Sequence, residues 1–105
     1  MDHLLKISII IPTLNEARCL GETLEQIQKL SPHELIISDG GSDDNTLKIA
    51  AKCTQNVIKG PTGRALQLNA GAQVATGDLL LFLHADSYIK LASYQKMLYA
   101  MKTQK

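Results

Sequence analysis

Along the chain, short runs of branched aliphatic residues alternate with longer stretches whose apolar positions recur at helical spacing. Ile7 to Ile11 is a β-branched run stopped by Pro12, the pattern of a strand buried on both faces. Ala17, Leu20, Leu24 and Ile27 then fall on one helical stripe, which Ser31-Pro32 ends. Asn15 is placed to cap that helix, with Glu16 in its first turn. Glu34 to Ser38 reads as a second strand and opens into a glycine turn. A helix from about Asn45 is expected to carry Leu47, Ala50 and Ala51 inward. "NVIKG" is a weak third strand, and Gly60 to Gly63 a loop. Arg64 to Ala75 reads as a third helix and Leu79 to Leu83 as a fourth strand. Leu91, Tyr94, Met97, Leu98 and Met101 form a last helical stripe, read as core packing or as a docking face.

The order β-α-β-α-β-α-β-α predicts an α/β fold, an open and mainly parallel sheet with alternating helices and right-handed crossovers. In such sheets ligands bind beyond the carboxyl ends of the strands. Three of those ends are unusually polar: Thr13-Leu14-Asn15-Glu16, Asp39 to Asn45, and His84-Ala85-Asp86. A parallel sheet gathers all three on one edge. Acidic groups crowded there repel one another unless a cation or hydrogen-bond donors offset the charge.

Each cluster has a bland reading beside a chemical one. "PTLNEA" is a strand stop and helix cap, or a loop contacting a planar ligand with Glu16 as acceptor. In "SDGGSDDNT", counting from Asp39, an EF-hand would need Gly sixth and Glu twelfth, but Asp44 and Ala50 stand there. No G-x-G-x-x-G follows the first strand, which excludes the dinucleotide fingerprint. What survives is Asp39, a carboxylate at a strand end where a nucleobase N–H can be read. "GPTGRALQLNAGA" joins a glycine-rich loop to a helix start and Arg64, features that favour phosphate, although the Gly-Lys-Ser/Thr ending of a P-loop is absent. Asn69 and Gly71 are read as helix-packing residues. Asp86 can hold a divalent cation together with substrate phosphates, and His84 is either its neighbour in that site or a structural histidine. His3 and His33 receive no role.

Composition narrows the partners. A net charge of +1 and 4% aromatic residues, with no Trp, leave neither a basic surface nor stacking platforms, so no nucleic acid is expected. Cys19 and Cys53 have no metal-ligand spacing and read as free, half-buried thiols of a reducing compartment. The longest apolar runs fall far short of the ~20 residues that a membrane span needs, and the N-terminus does not read as a signal peptide.

In that order, "SIIIPTLNEA", "IISDGGSDDNT", "GRALQLNAGA" and "LLFLHADS" resemble the N-terminal half of family 2 glycosyltransferases of the GT-A fold, from about Ile7 to Ser87. The subgroup resembled is the one whose metal motif reads H-A-D. The resemblance implies a nucleotide-sugar donor, a UDP-sugar, held with Mn²⁺ or Mg²⁺. It puts Pro12, Thr13 and Glu16 beside the nucleoside, Asp39 on the base with Asp43 in the same turn, and Arg64 near the base or diphosphate. Asp86 would be on the metal, and His84 would stand where the family carries the first aspartate of D-x-D.

The family's catalytic domain is longer than these 105 residues. The resemblance therefore implies a single domain, 1–105, that is a donor-binding half, without the acceptor surface or the carboxylate base of inverting members. The acceptor stays unknown. A homodimer or a partner chain supplying the missing half stays open. Cytoplasmic localisation is expected, with peripheral membrane proximity open. The alternative is a non-catalytic structural or regulatory module that keeps the fold and self-associates.

Overall fold

The computed structural model describes residues 5–87 and 89–103; His3 lies outside them. Among the described residues the elements are β1 (Ile7–Thr13), α1 (Leu20–Gln28), β2 (Glu34–Asp39), α2 (Thr46–Cys53), β3 (Asn56–Lys59), α3 (Arg64–Val74), β4 (Leu79–Phe82) and α4 (Leu91–Thr103). The strands form one parallel sheet in the order β3-β2-β1-β4. The predicted α/β class and alternation are as observed.

Alternation along β1 sends Ile7, Ile9 and Ile11 to one face, where they join Leu35 and Ile37 of β2. Leu20, Leu24 and Ile27 of α1, Ala50 of α2 and Tyr94 of α4 cover this face and complete the core. Ile10 points the other way, towards α3, which packs on β1 and β2. Gly71 permits that approach: a Cβ there would stand 2.5 Å from Ile10 Cγ2.

Three local expectations are corrected. Helix α1 begins at Leu20, and Asn15 adopts φ +54°, so Asn15 caps nothing and Glu16 precedes the helix. The Asn15 side chain instead accepts the Asp43 N–H at 2.9 Å, bridging two loops. On α2, Ala51 is exposed, and Ile49 packs on the core in its place. On α4, Leu91 and Met101 are exposed, and the stripe narrows to Tyr94, Met97 and Leu98. Strand β4 is an edge strand buried on one face only. Leu80 and Phe82 are 42% and 47% exposed, because α3 lies over β1 and β2 and leaves that side of β4 uncovered. Cys19 and Cys53 are free and half-buried, as expected. Among the described residues no helix is long and apolar enough to cross a membrane.

Candidate functional site

The parallel sheet brings the carboxyl ends of β1, β2 and β4 to one edge, and an open cleft of about 570 Å³ lies there. Six of the predicted residues line it: Pro12, Thr13, Glu16, Arg64, His84 and Asp86. Asp39 and Asp43 do not.

Asp39 lies just beneath, 1% exposed. Its Oδ1 accepts from Thr13 Oγ1 (2.7 Å) and Ser42 Oγ (2.6 Å), and its Oδ2 from the N–H groups of Gly41 (3.0 Å) and Ser42 (2.7 Å). A carboxylate offers about four lone-pair positions, and all are engaged. Burial pushes the Asp39 carboxyl upward, but the bonds from Ser42, Thr13 and Gly41 outweigh it and hold the group below the ordinary aspartate value. In this arrangement Asp39 ties the turn after β2 to the end of β1. Asp43 is exposed on the outside of that turn, and its N–H donates to Asn15 Oδ1.

The β1–α1 loop and the β2–α2 turn are stitched together. Ser42 Oγ accepts the Asn15 N–H at 2.8 Å, and Thr46 Oγ1 accepts the Glu16 N–H at 2.8 Å. Asp44 accepts from the Ala17 N–H and from the N–H and hydroxyl of Thr46. The Thr46 hydroxyl, then the backbone bonds, hold the Asp44 carboxyl below its ordinary value. Donors therefore offset the negative charge on this side of the edge.

The opposite wall differs. Asp86 and His84 are exposed, and among the described residues neither side chain has a hydrogen bond or ion pair. The bonds around them are structural: the His84 N–H donates to Ser87 Oγ at 2.8 Å, and the Ser87 N–H donates to the His84 carbonyl at 3.0 Å. The same cleft is lined by Arg64, likewise without a side-chain partner among the described residues, and by the N-terminus of α3, whose dipole favours anions.

Among the described residues no three His, Cys, Asp or Glu side chains gather as a metal cage. The donor set fits a different kind of site. One free carboxylate beside an imidazole suits a hard cation whose remaining ligands are phosphate oxygens and water.

Gln67, absent from the sequence reading, also lines the cleft and is only 6% exposed. A signal for it exists: Gln67 and Gly71 lie four apart on the buried stripe of α3, and a polar residue on such a stripe needs partners. Leu14, Thr62, Gly63 and Ala85 complete the lining.

A cleft beyond the carboxyl ends of the strands, with a helix N-terminus and an exposed carboxylate in its lining, stands where open α/β sheets bind ligands. The family model described as "Glycosyl transferase family 2" matches residues 8–105, and the chain belongs to that family. It is 43% identical over 88 residues to a PGL/p-HBAD biosynthesis glycosyltransferase of Mycobacterium bovis, an alignment covering 75% of this chain and 34% of that protein. It is 34% identical over 94 residues to undecaprenyl-phosphate 4-deoxy-4-formamido-L-arabinose transferase of Proteus mirabilis, covering 77% and 29%. The chain thus spans about a third of the length of these curated relatives. Among solved structures it is similar to glucosyl-3-phosphoglycerate synthase of Mycobacterium tuberculosis in complex with UDP, with a TM-score of 0.81 at 23% identity, covering 96% of this chain and 41% of that one. The same enzyme with Mn²⁺, UDP-glucose and phosphoglyceric acid gives a TM-score of 0.71 at 24% identity, covering 80% and 35%. These similarities show the GT-A fold.

Proposed function

We propose that this chain forms the donor-binding half of a glycosyltransferase, taking a nucleotide-diphosphate sugar with Mn²⁺ or Mg²⁺. The observation that carries the reading is Asp86, an exposed strand-end carboxylate with no partner among the described residues, in one cleft with Arg64 and the start of α3. The UDP and Mn²⁺ bound by the structurally similar synthase support the choice of donor. In this reading Arg64 and the α3 N-terminus bind diphosphate oxygens. Asp86 holds the cation, with His84 beside it in place of a second carboxylate. The cation, when bound, neutralises charge growing on the leaving nucleoside diphosphate. Pro12, Thr13 and Glu16 border the nucleoside. Asp39 either yields one of its four hydrogen bonds to a base N–H or serves the site by holding the turn.

The test is calorimetric titration with UDP, with and without Mn²⁺, on the chain and on Asp86→Ala. Metal-dependent binding that the substitution abolishes is expected. Absence of binding under every condition overturns the reading. A second reading, a self-associating module without chemistry, rests on the uncovered edge strand β4 with Leu80 and Phe82. It predicts a dimeric gel-filtration mass indifferent to UDP and Mn²⁺.

A further inference from the structure

We propose that Gln67 is a positioning residue for the donor cleft: its buried amide locks the ends of β1 and β2 to the loop before α3, and so fixes where Arg64 stands. The functional consequence rests on the donor-site reading above; the lock itself does not.

The Gln67 Nε2 group donates to the carbonyl oxygens of Thr13 and Ser38, each at 2.9 Å. Its Oε1 accepts the Gly63 N–H at 3.1 Å. Three segments distant in sequence are therefore held by one planar group. Thr13 ends β1, Ser38 precedes Asp39 in β2, and Gly63 caps α3 immediately before Arg64. The amide orientation is fixed by its partners, since a flipped amide would set oxygen against two carbonyls and N–H against N–H. Gly63 has φ +152°, a conformation open to glycine and disfavoured for other residues, so the junction that Gln67 holds depends on a glycine.

Gly40 supplies a second observation. A Cβ at Gly40 would stand 2.7 Å from Gln67 Oε1 and 2.8 Å from its Cδ. Long side-chain tips ordinarily swing away from such a contact, but this one is held by three hydrogen bonds. The turn after β2 leaves room for the amide. Were Gln67 mere filler, an apolar side chain of similar volume would serve, and nothing would require three partners at the cleft.

Gln67→Met keeps the volume and removes the bonds. Two readouts apply. By nuclear magnetic resonance, exchange of the Gly63 amide should quicken about tenfold, the equivalent of one lost hydrogen bond, while the Ile10 amide in mid-sheet keeps its protection. By calorimetry, UDP with Mn²⁺ should bind about tenfold more weakly while the protein stays folded. Gln67→Glu adds a pH signature. An ionised carboxylate faces two carbonyl oxygens, and a protonated one can again donate, so this variant should regain affinity as the pH falls, relative to the unsubstituted chain. Unchanged Gly63 exchange in folded Gln67→Met overturns the lock. Unchanged UDP affinity with quickened exchange overturns the positioning role. If the unsubstituted chain takes no UDP, the donor reading fails, and Gly63 exchange still decides the lock. If Gln67→Met does not fold, Gly40→Ala decides: its Cβ displaces the Gln67 amide, so Gly63 exchange should quicken while the Ile10 amide keeps its protection, and unchanged Gly63 exchange overturns the lock.

Discussion

The two sides of the sheet's carboxyl edge use the same residue type in opposite ways. On the β1–β2 side, Asp39 and Asp44 accept bonds from Thr13, Gly41, Ser42, Ala17 and Thr46, and Asp39 is buried. On the β4 side, Asp86 is exposed and has no such donor among the described residues. The repulsion foreseen from the sequence is thus relieved in two ways. Where backbone N–H groups and hydroxyls are to hand, the carboxylate builds the fold. Where none is supplied, the carboxylate stays exposed at the cleft without a partner among the described residues. A saturated carboxylate argues for architecture, an unsaturated one at a cleft for binding.

The largest effect that can break this comparison is at Asp39. Asp39→Ala removes four acceptor contacts and strands the buried Thr13 hydroxyl, which should cost about 3 kcal/mol. For a chain of this size that is a fall of roughly 10–20 °C in melting temperature. A shift within experimental error would mean that the closed side is not held by its carboxylate.

Next comes Gly71→Ala. The added methyl meets Ile10 Cγ2 and must push α3 away from β1, at a cost of about 2 kcal/mol from overpacking. Because α3 carries both Gln67 and Arg64, this change should weaken UDP binding as well as stability. Loss of stability with full UDP affinity would show that the cleft tolerates movement of α3.

A pH scan sharpens the same contrast. At the opposite edge of the sheet, burial pushes the Glu34 carboxyl up, but bonds from Ser8 and from the N–H and hydroxyl of Thr76 outweigh it and hold the group below its ordinary value. Asp39 is depressed likewise. A carboxyl depressed in the folded state binds fewer protons than in the unfolded chain, so its stabilisation is present above the unfolded value and lost as pH falls through the folded one. Melting temperature should therefore drop below about pH 4, where unfolded carboxylates titrate, and Glu34→Gln should flatten part of that drop. A melting temperature constant from neutral pH down to about pH 3 would contradict both depressed carboxyls.

How much of this was legible depends on the kind of pattern. The buried isoleucine run of β1 and the strand–helix alternation are long, redundant signals, and parallel topology alone brings Pro12, Arg64, His84 and Asp86 to one edge. Asn15 was misread because the side chain that can cap a helix can equally bridge to Asp43; only the turn's position chooses between them. Gln67 went unnoticed because its partners are carbonyls and an N–H of Thr13, Ser38 and Gly63, and a backbone group leaves no trace in residue identity. The half-exposed face of β4 was hidden because an apolar run reads alike whether one face or both are covered.

The smallest effect reads the open side directly. Asp86→Ala removes an exposed, unpartnered side chain, so stability should move by less than about 0.5 kcal/mol, in contrast to Asp39→Ala. Its charge is nonetheless felt at Cys19, which lines a small groove with Asp86. Burial pushes the Cys19 thiol up, and the negative charges of Glu16 and Asp86 push it further. Removing Asp86 should lower that value, raise the thiolate fraction at fixed pH and speed alkylation of Cys19, measured by mass spectrometry of its peptide. Mn²⁺ with UDP should speed it in the same direction in the unsubstituted chain, by neutralising the same carboxylate, and should do nothing in Asp86→Ala. An equal response to Mn²⁺ and UDP in both proteins would mean that the cation is held elsewhere, and the contrast between the two sides of the edge would lose its functional half.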